Sequence, residues 1–548
     1  MPASVSLNGI PSAIRGTLFH ARFRELLLWC LPALLLGAIA RGCILFHFPY
    51  GYVHPDSADF LITADHLLHH HRFVLHGKKA FLAPILFALP LLLKLPSLLV
   101  IPWAQHLFGL VFTLMIGELV RLWTTLWKVW IIPATLLATL NPAMLWYEHA
   151  LISEFQYLWC VTALLLAGTA CALQPNKWRF ALLLGALLLT AGSRPEGKLY
   201  VCFCLLLVLL IRWGAWKTRL VYGAIAFAFC LLTWLSSRNT QAGVLLYATV
   251  LPLAPDVPKS APGFATYIDP LRKERVSWGA LVPNRLTTAE KDITPLAIGY
   301  LKSVNDRHTT YGQFCQRLAI EAALHRPLLL PVIALNKFLV ATANPPSGDF
   351  GAWWMQVKQI ESCTYKDWMV RLMPRLAGPR LTRRPEVAAA LQNEKLAGKD
   401  TELFAGLKQA VIAFVQQEYA PLGKSAAPPD PLKPAADPFG ILQHAWAAMT
   451  TGARVGEQQY GTRTVPGLPA FYILSGAGML ASICRPGPLR RLHIAWVLTL
   501  GFVFMVVMLT GVMNPRYRFV FEPFCLLYIF TLLDFGAALL TLRKLTDE

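Results

Sequence analysis

The sequence predicts an all-α polytopic membrane protein: a helix bundle of about ten spans with a mixed extracytoplasmic region. Three observations predict it. The chain of 548 residues is 55% hydrophobic and only 15% charged, where soluble domains are about a quarter charged. Its apolar residues come in long runs rather than at strand or surface-helix periodicity: 26–48, 98–120, 129–147, 155–173, 180–193, 199–211, 219–237, 467–484, 492–513 and 519–542. Basic residues fill the short loops at every second boundary between those runs.

The blocks of roughly 17–25 residues match the hydrocarbon thickness, and in lipid they must be helices. Blocks 180–193 and 199–211 are short. Residues 81–95, broken by Pro84 and Pro90 and carrying Lys94, and residues 327–343, carrying Asn336 and Lys337, would each break the alternation of the loops if they spanned. Both are expected to lie at the outer interface or under the outer region.

The net charge of +20 is a topology signal rather than a nucleic-acid footprint. Arg15, Arg22 and Arg24 precede the first block, Arg121 and Lys128 bracket one loop, and Lys177 with Arg179 mark another. Arg212, Lys217 and Arg219 follow, then Arg485, Arg490 and Arg491, and finally Arg543 and Lys544. This positive-inside pattern puts the N-terminus in the cytoplasm. It divides the chain into an N-terminal transmembrane module (1–237), an extracytoplasmic region (238–466) with the interfacial helix 327–343 and the Pro-rich linker 423–438, and a C-terminal transmembrane module (467–548). Ala38-Ile39-Ala40 resembles a signal cleavage site, but the apolar stretch resumes after Arg41 and the segment is expected to be retained. Most of the 11 cysteines lie in apolar blocks; Cys315 and Cys363 fall in the polar region and could pair outside the cytoplasm.

Ionisable groups near lipid are functional candidates by default. On the expected outer face they gather from four loops. "HPDSADF" holds His54, Asp56 and Asp59, with Pro55 setting a helix start. Acids there cap free N–H groups, yet two on one face, three apart, also suit a base and its partner. Glu154 in "LISEF" begins the next candidate helix, with Glu148 and His149 equally well placed. "AGSRPEGKLY" joins the two short blocks through Arg194-Pro195-Glu196-Gly197, a break tolerated in lipid only beside a polar cavity. Arg194 suits a bidentate phosphate contact; an Arg194–Glu196 ion pair holding the break is the alternative. "NPRYRFVFEPF" supplies Arg516, Tyr517 and Arg518, either for an anionic leaving group or as interfacial anchors. His69, His70 and His71 lack a second ligand cluster and read as a solvated loop.

The order of these motifs resembles the GT-C superfamily of integral-membrane glycosyltransferases. Asp56 in "HPDSADFLITADHLL" matches the acid after the first span, Phe60 the aromatic that follows, Glu154 the second acid, Arg194–Gly197 the broken helix and Arg516-Tyr517 the motif before a late span. "EAALHRPLLLP" looks like the outer helix before the closing spans, whereas 344–466 matches nothing recognisable. The resemblance implies transfer of a hexose or pentose from a polyprenyl-phosphate donor to a glycan, lipid or protein acceptor, with inversion, in cell-envelope glycan biosynthesis. Asp56, Asp59 and Glu154 are the expected catalytic acids; His54, Arg194, Glu196, Arg516, Tyr517 and Arg518 are expected to bind substrate. No cofactor is obligatory; a divalent cation, magnesium or manganese, would suit the paired acids. The expected location is a bacterial inner membrane with the site facing the periplasm or the outside, among membrane lipids and with no nucleic-acid partner. The rival reading is a polytopic lipid or solute transporter or flippase, which would want charges at mid-span and related halves.

Overall fold

A chain this apolar has little water to satisfy its peptide groups, and helices satisfy them internally. The computed structural model describes residues 12–53, 55–69, 80–211, 216–235, 240–275, 286–343, 367–392, 402–418, 470–510 and 520–547, and these hold helices and turns but no strand. The N-terminal part comprises α1 (Ser12–His47), α2 (Pro55–His69), α3 (Leu82–Leu92), α4 (Ser97–Trp123), α5 (Trp127–Thr139), α6 (Pro142–His149), α7 (Glu154–Leu173), α8 (Lys177–Ser193), α9 (Val201–Leu210) and α10 (Trp216–Leu235). The middle holds α11 (Thr240–Val250), α12 (Ala265–Arg275), α13 (Leu286–Ser303), α14 (Tyr311–His325) and α15 (Leu330–Ala343). Then come α16 (Asp367–Ala377), α17 (Pro379–Thr382), α18 (Pro385–Gln392) and α19 (Glu402–Glu418), followed by α20 (Ala470–Cys484), α21 (Arg490–Thr510) and α22 (Glu522–Asp547).

Among the described residues, 5 stretches are long and apolar enough to cross a membrane: Ala21–His47, Ser97–Trp123, Glu154–Leu173, Arg490–Leu509 and Glu522–Thr541. Two bent pairs raise the number to 7 if each is one span: α5 with α6, bent by 48°, and α14 with Pro327–Leu335, bent by 96°. The first bend has a clear cause. Asn141 ends one helix and starts the next, its side chain accepting from the Ala143 and Met144 amides at 2.9 and 3.2 Å, with Pro142 at the first position of α6. Blocks 180–193, 199–211 and 467–484 fold as helices of 17, 10 and 15 residues, short of the ~20 that a straight span needs. α3 has 11 residues, about 16 Å, and ends where Lys94 turns to a φ of 55°.

Backbone bonds show which helix ends meet. The Gly51 amide donates to the Leu98 carbonyl (2.7 Å), the Tyr52 amide to His149 (3.1 Å), and the Leu151 amide to Tyr52 (2.9 Å). The end of α1, the starts of α2, α4 and α7, and the end of α6 therefore share one end of the bundle, hereafter the site end. At the opposite end, the buried Asp534 of α22 accepts from the Thr125 amide (2.9 Å), the Leu126 amide (2.8 Å) and Arg485 Nη1 (3.0 Å). The basic loop after α4 and the basic loop after α20 are thus tied together by one carboxylate.

The middle of the chain divides in two. Residues 240–333 close their own core around Tyr247, Phe264, Phe314 and the buried Cys315; Cys363, its expected partner, lies outside the described residues. Helices α16–α19 instead extend the main core. Phe414 packs on Tyr50 with ring centroids 5.5 Å apart, and Arg375 reaches Asp65 of α2 at 3.2 Å. Gly378 sits at a φ of +69° with Pro96 against it, where a Cβ would lie 2.8 Å from the proline. In the stretch 327–343, expected at the outer interface or under the outer region, Phe338 of α15 lies 5.1 Å from Phe504 and 4.9 Å from Tyr472. The linker 423–438 lies outside the described residues.

Asp534→Ala strands Arg485 and two backbone donors at once. A loss of about 2–4 kcal/mol is expected, measured as a lower Tm of the detergent-solubilised protein; an unchanged Tm would mean the two basic loops are held by other contacts.

Candidate functional site

Two helix starts leave from a single backbone crossing. Tyr52 and Ala150 form an isolated parallel bridge. Pro55, whose missing N–H costs nothing at a first turn, opens α2 and puts Asp56 in that turn. α7 opens at Glu154, with Glu154 in its first turn and 3% exposed. Asp56 follows Tyr52 by the same four-residue step as Glu154 follows Ala150. The parallel bridge therefore sends both acids onward from one point. Asp56 and Asp59 are half-buried, while Ser57, Ala58 and Phe60 between and beside them are buried. Phe60 meets Phe87 of α3 at 6.1 Å.

The break in "AGSRPEGKLY" is a short extended step followed by a 3₁₀ turn. α8 stops at Ser193, Arg194 is extended (φ −150°, ψ 156°), and Pro195–Tyr200 form the turn. Pro195 cannot donate to the preceding turn. Gly197 is required because a Cβ there would strike the Thr190 carbonyl. Ser193 Oγ donates to the same Thr190 carbonyl at 2.7 Å. Phe81, just before α3, wedges against Gly192.

This break delivers Arg194 between two carboxylates. Its Nη1 lies 2.7 Å from Glu154 Oε1, and its Nε donates to Glu196 Oε2 at 3.2 Å. Its guanidinium carbon stands 5.7 Å from the Tyr157 ring centroid. Burial pushes the Glu196 carboxyl up, but the adjacent Arg194 charge and hydrogen bonds outweigh it and hold the group below its ordinary 4.5. The ion pair named as the alternative for Arg194 is therefore present, and Glu154 belongs to it as well. A ring series leads away from Arg194: Tyr157 to Tyr200 at 6.3 Å, Tyr200 to Trp496 at 5.7 Å, and Trp496 to Phe524 at 5.3 Å.

Glu148 and His149, the alternatives to Glu154, have a different place. Glu148 is fully buried and takes both Arg41 Nε (2.8 Å) and Arg41 Nη2 (2.6 Å). Its Oε2 also lies 2.8 Å from His106 Nδ1, and His106 Nε2 is 3.1 Å from His149 Nδ1. His149 Nε2 reaches the Tyr50 carbonyl at 3.0 Å. Arg41 Nη1 adds the Thr139 hydroxyl at 2.9 Å and the Gly37 carbonyl at 3.1 Å. The Arg41–Glu148–His106 connection was missed in the sequence. The signal was there: Arg41 and His106 are polar residues inside apolar blocks, and such groups pair with one another.

Glu522 was missed too. It opens α22, is fully buried, and its Oε1 accepts from the Tyr472 hydroxyl at 3.3 Å. An acid directly before Pro523, at the start of the last block, was the available signal. His54, His70, His71 and Arg516, Tyr517 and Arg518 lie outside the described residues, and His69 is the last residue of α2. Among the described residues no three His, Cys, Asp or Glu side chains assemble as a cation site. No family model, curated protein or solved structure matches this chain.

The depressed Glu196 gives a signed pH dependence. Its native carboxyl binds a proton less readily than the unfolded one, so its stabilising share is complete above about pH 4.5 and is lost as pH falls through the native value. Thermal unfolding of the parent should therefore weaken below that pH more steeply than that of Glu196→Gln. Parallel curves for the two proteins would remove the Arg194–Glu196 pair from the stability of the break.

Proposed function

We propose that the protein is a GT-C-like membrane glycosyltransferase. It would move a sugar from a polyprenyl-phosphate donor to an acceptor hydroxyl at the site end, facing the periplasm of a bacterial inner membrane. The observation that carries this reading is the joining of Asp56 and Glu154 to one backbone crossing while Arg194 is clamped by Glu154 and Glu196. In this reading α10 and the shorter helices α8, α9 and α20 complete about ten spans. Grooves between spans hold the polyprenyl tail.

The donor arrives activated, so the site needs a base and cations. Asp56 takes the proton of the acceptor hydroxyl. The acceptor oxygen attacks the anomeric carbon, the bond from that carbon to the phosphate oxygen breaks on the opposite face, and lipid phosphate leaves with the electron pair. The product is inverted. Arg194 faces the departing phosphate, its orientation set by Glu154 and Glu196, and Arg516 and Arg518 are proposed to join it. Asp59 assists Asp56, and His54 and Tyr517 contact substrate.

A second reading has one observation in its favour. The buried Arg41, Glu148 and His106 group is the kind of charge a lipid or solute transporter keeps inside its helices. Incubation of purified protein with a panel of polyprenyl-phosphate sugars, followed by mass spectrometry of released lipid phosphate and glycosylated product, separates the two. Asp56→Asn should lower transfer at least about 100-fold while leaving expression and Tm near the parent's. An Asp56→Asn protein working at the parental rate removes Asp56 from the mechanism, and flux in proteoliposomes without any product favours transport.

A further inference from the structure

The transfer does not use the buried group of Arg41, Glu148, His106 and His149, yet its contacts reach the crossing. Glu148 holds Arg41 through both oxygens. His106 Nδ1 faces that carboxylate at 2.8 Å, and His106 Nε2 stands 3.1 Å from His149 Nδ1. At the far end His149 Nε2 faces the Tyr50 carbonyl at 3.0 Å. A carbonyl only accepts, so this nitrogen donates.

The group is attached to the crossing from several sides. The His149 ring holds the Tyr50 carbonyl while the His149 carbonyl accepts the Tyr52 amide. The Tyr52 ring meets the His149 ring edge-on at 4.6 Å. Gln105, next to His106 on α4, satisfies its neighbours with its amide turned so that the nitrogen donates to the Glu148 carbonyl (2.9 Å) and the Ala150 carbonyl (3.1 Å) and the oxygen accepts from Gln156 of α7 (2.9 Å). Gly109 leaves room for the group: a Cβ there would strike the Glu148 carboxylate and lie 2.7 Å from Arg41 Nη2.

We propose that His106 and His149 are positioning residues whose chain of hydrogen bonds holds residues 50–53 against 149–151, the crossing from which Asp56 and Glu154 start their helices. The groups around the two rings are Arg41 from α1, Glu148 from α6, and Tyr50 and Tyr52 from the segment between α1 and α2. Without the His149 ring the Tyr50 carbonyl loses its link to Glu148, and the crossing loosens.

Only the kinetic part of the test rests on the glycosyltransferase reading. The direct test is hydrogen exchange of peptides covering 50–53 and 149–152. His149→Ala should speed exchange of the Tyr52 and Leu151 amides by about tenfold or more. His149→Gln, which keeps a nitrogen for the Tyr50 carbonyl and an oxygen for His106, should recover most of that protection. In the transfer assay the alanine variant should lower kcat at least about tenfold and leave KM within about twofold, with glutamine restoring most of kcat. Glutamine no better than alanine, or alanine without effect on exchange, would overturn the positioning role. If the parent transfers no sugar from any donor, the functional reading fails, and hydrogen exchange still decides the positioning role.

Discussion

An arginine inside a bilayer must be paired, and the partner of Arg41 organises the site end. Glu148 takes two of its N–H groups, and Thr139 and the Gly37 carbonyl take the Nη1 position. Three helices, α1, α5 and α6, are thereby committed to one arrangement, because leaving either charge alone in a low-dielectric interior would cost several kcal/mol. The packing follows the charges. Gly109 and Gly37 stand where any larger side chain would collide with the pair, so the small residues in these apolar blocks are consequences of the polar group beside them. Through His106 and His149 the same network reaches the backbone of residues 50–52, and from there both acidic helix starts depart.

What was legible in the sequence followed the physics of the bilayer. The long runs at 98–120, 155–173 and 492–513 correspond to helices of spanning length, because hydrocarbon thickness sets their size independently of partners. Pro55 correctly marked the start of α2, and Pro195 with Gly197 marked a genuine break, because both residues act on their own backbone. The span count was less legible. Whether 129–147 is one span or a bent pair depends on the Asn141 cap and the 48° turn it makes, which block length does not encode. Pairings were the least legible. Nothing local tells Arg41 that Glu148, 107 positions later, is its partner, or ties Thr125 to Asp534 across 409 positions. Glu148 and Glu154 looked interchangeable because each lies beside a helix end; their difference is which arginine reaches them.

The middle region shows the same division. Residues 240–333 bury their own aromatic core, whereas α16–α19 are bound to α2 and to the segment before it by Arg375–Asp65 and Phe414–Tyr50. α17 begins directly after Gly378, which presses on Pro96 at the start of α4. These helices therefore share the core that positions Asp56, although the sequence between 344 and 466 carries no recognisable motif. A segment can support a site through packing alone, and packing against distant residues leaves no short pattern to read.

The acids near the crossing differ in their partners, and in the proposed transfer that difference bears on the choice of base. Glu148 is fully buried and spends both oxygens on Arg41; it has no path to an acceptor hydroxyl. Glu154 is 3% exposed and faces Arg194 at 2.7 Å. Taking a proton would weaken the pair that aims the cation, so proton transfer at Glu154 and phosphate stabilisation by Arg194 oppose one another. Glu196 is held below its ordinary range by the same arginine, which makes it a weaker base still. Asp56 and Asp59 are half-buried on the first turns of α2. Asp56 is the nearer of the two to the crossing along the chain, so its position is the one the buried network controls most directly. In the proposed transfer a base there and a cation held by Glu154 and Glu196 divide the two tasks of an inverting displacement.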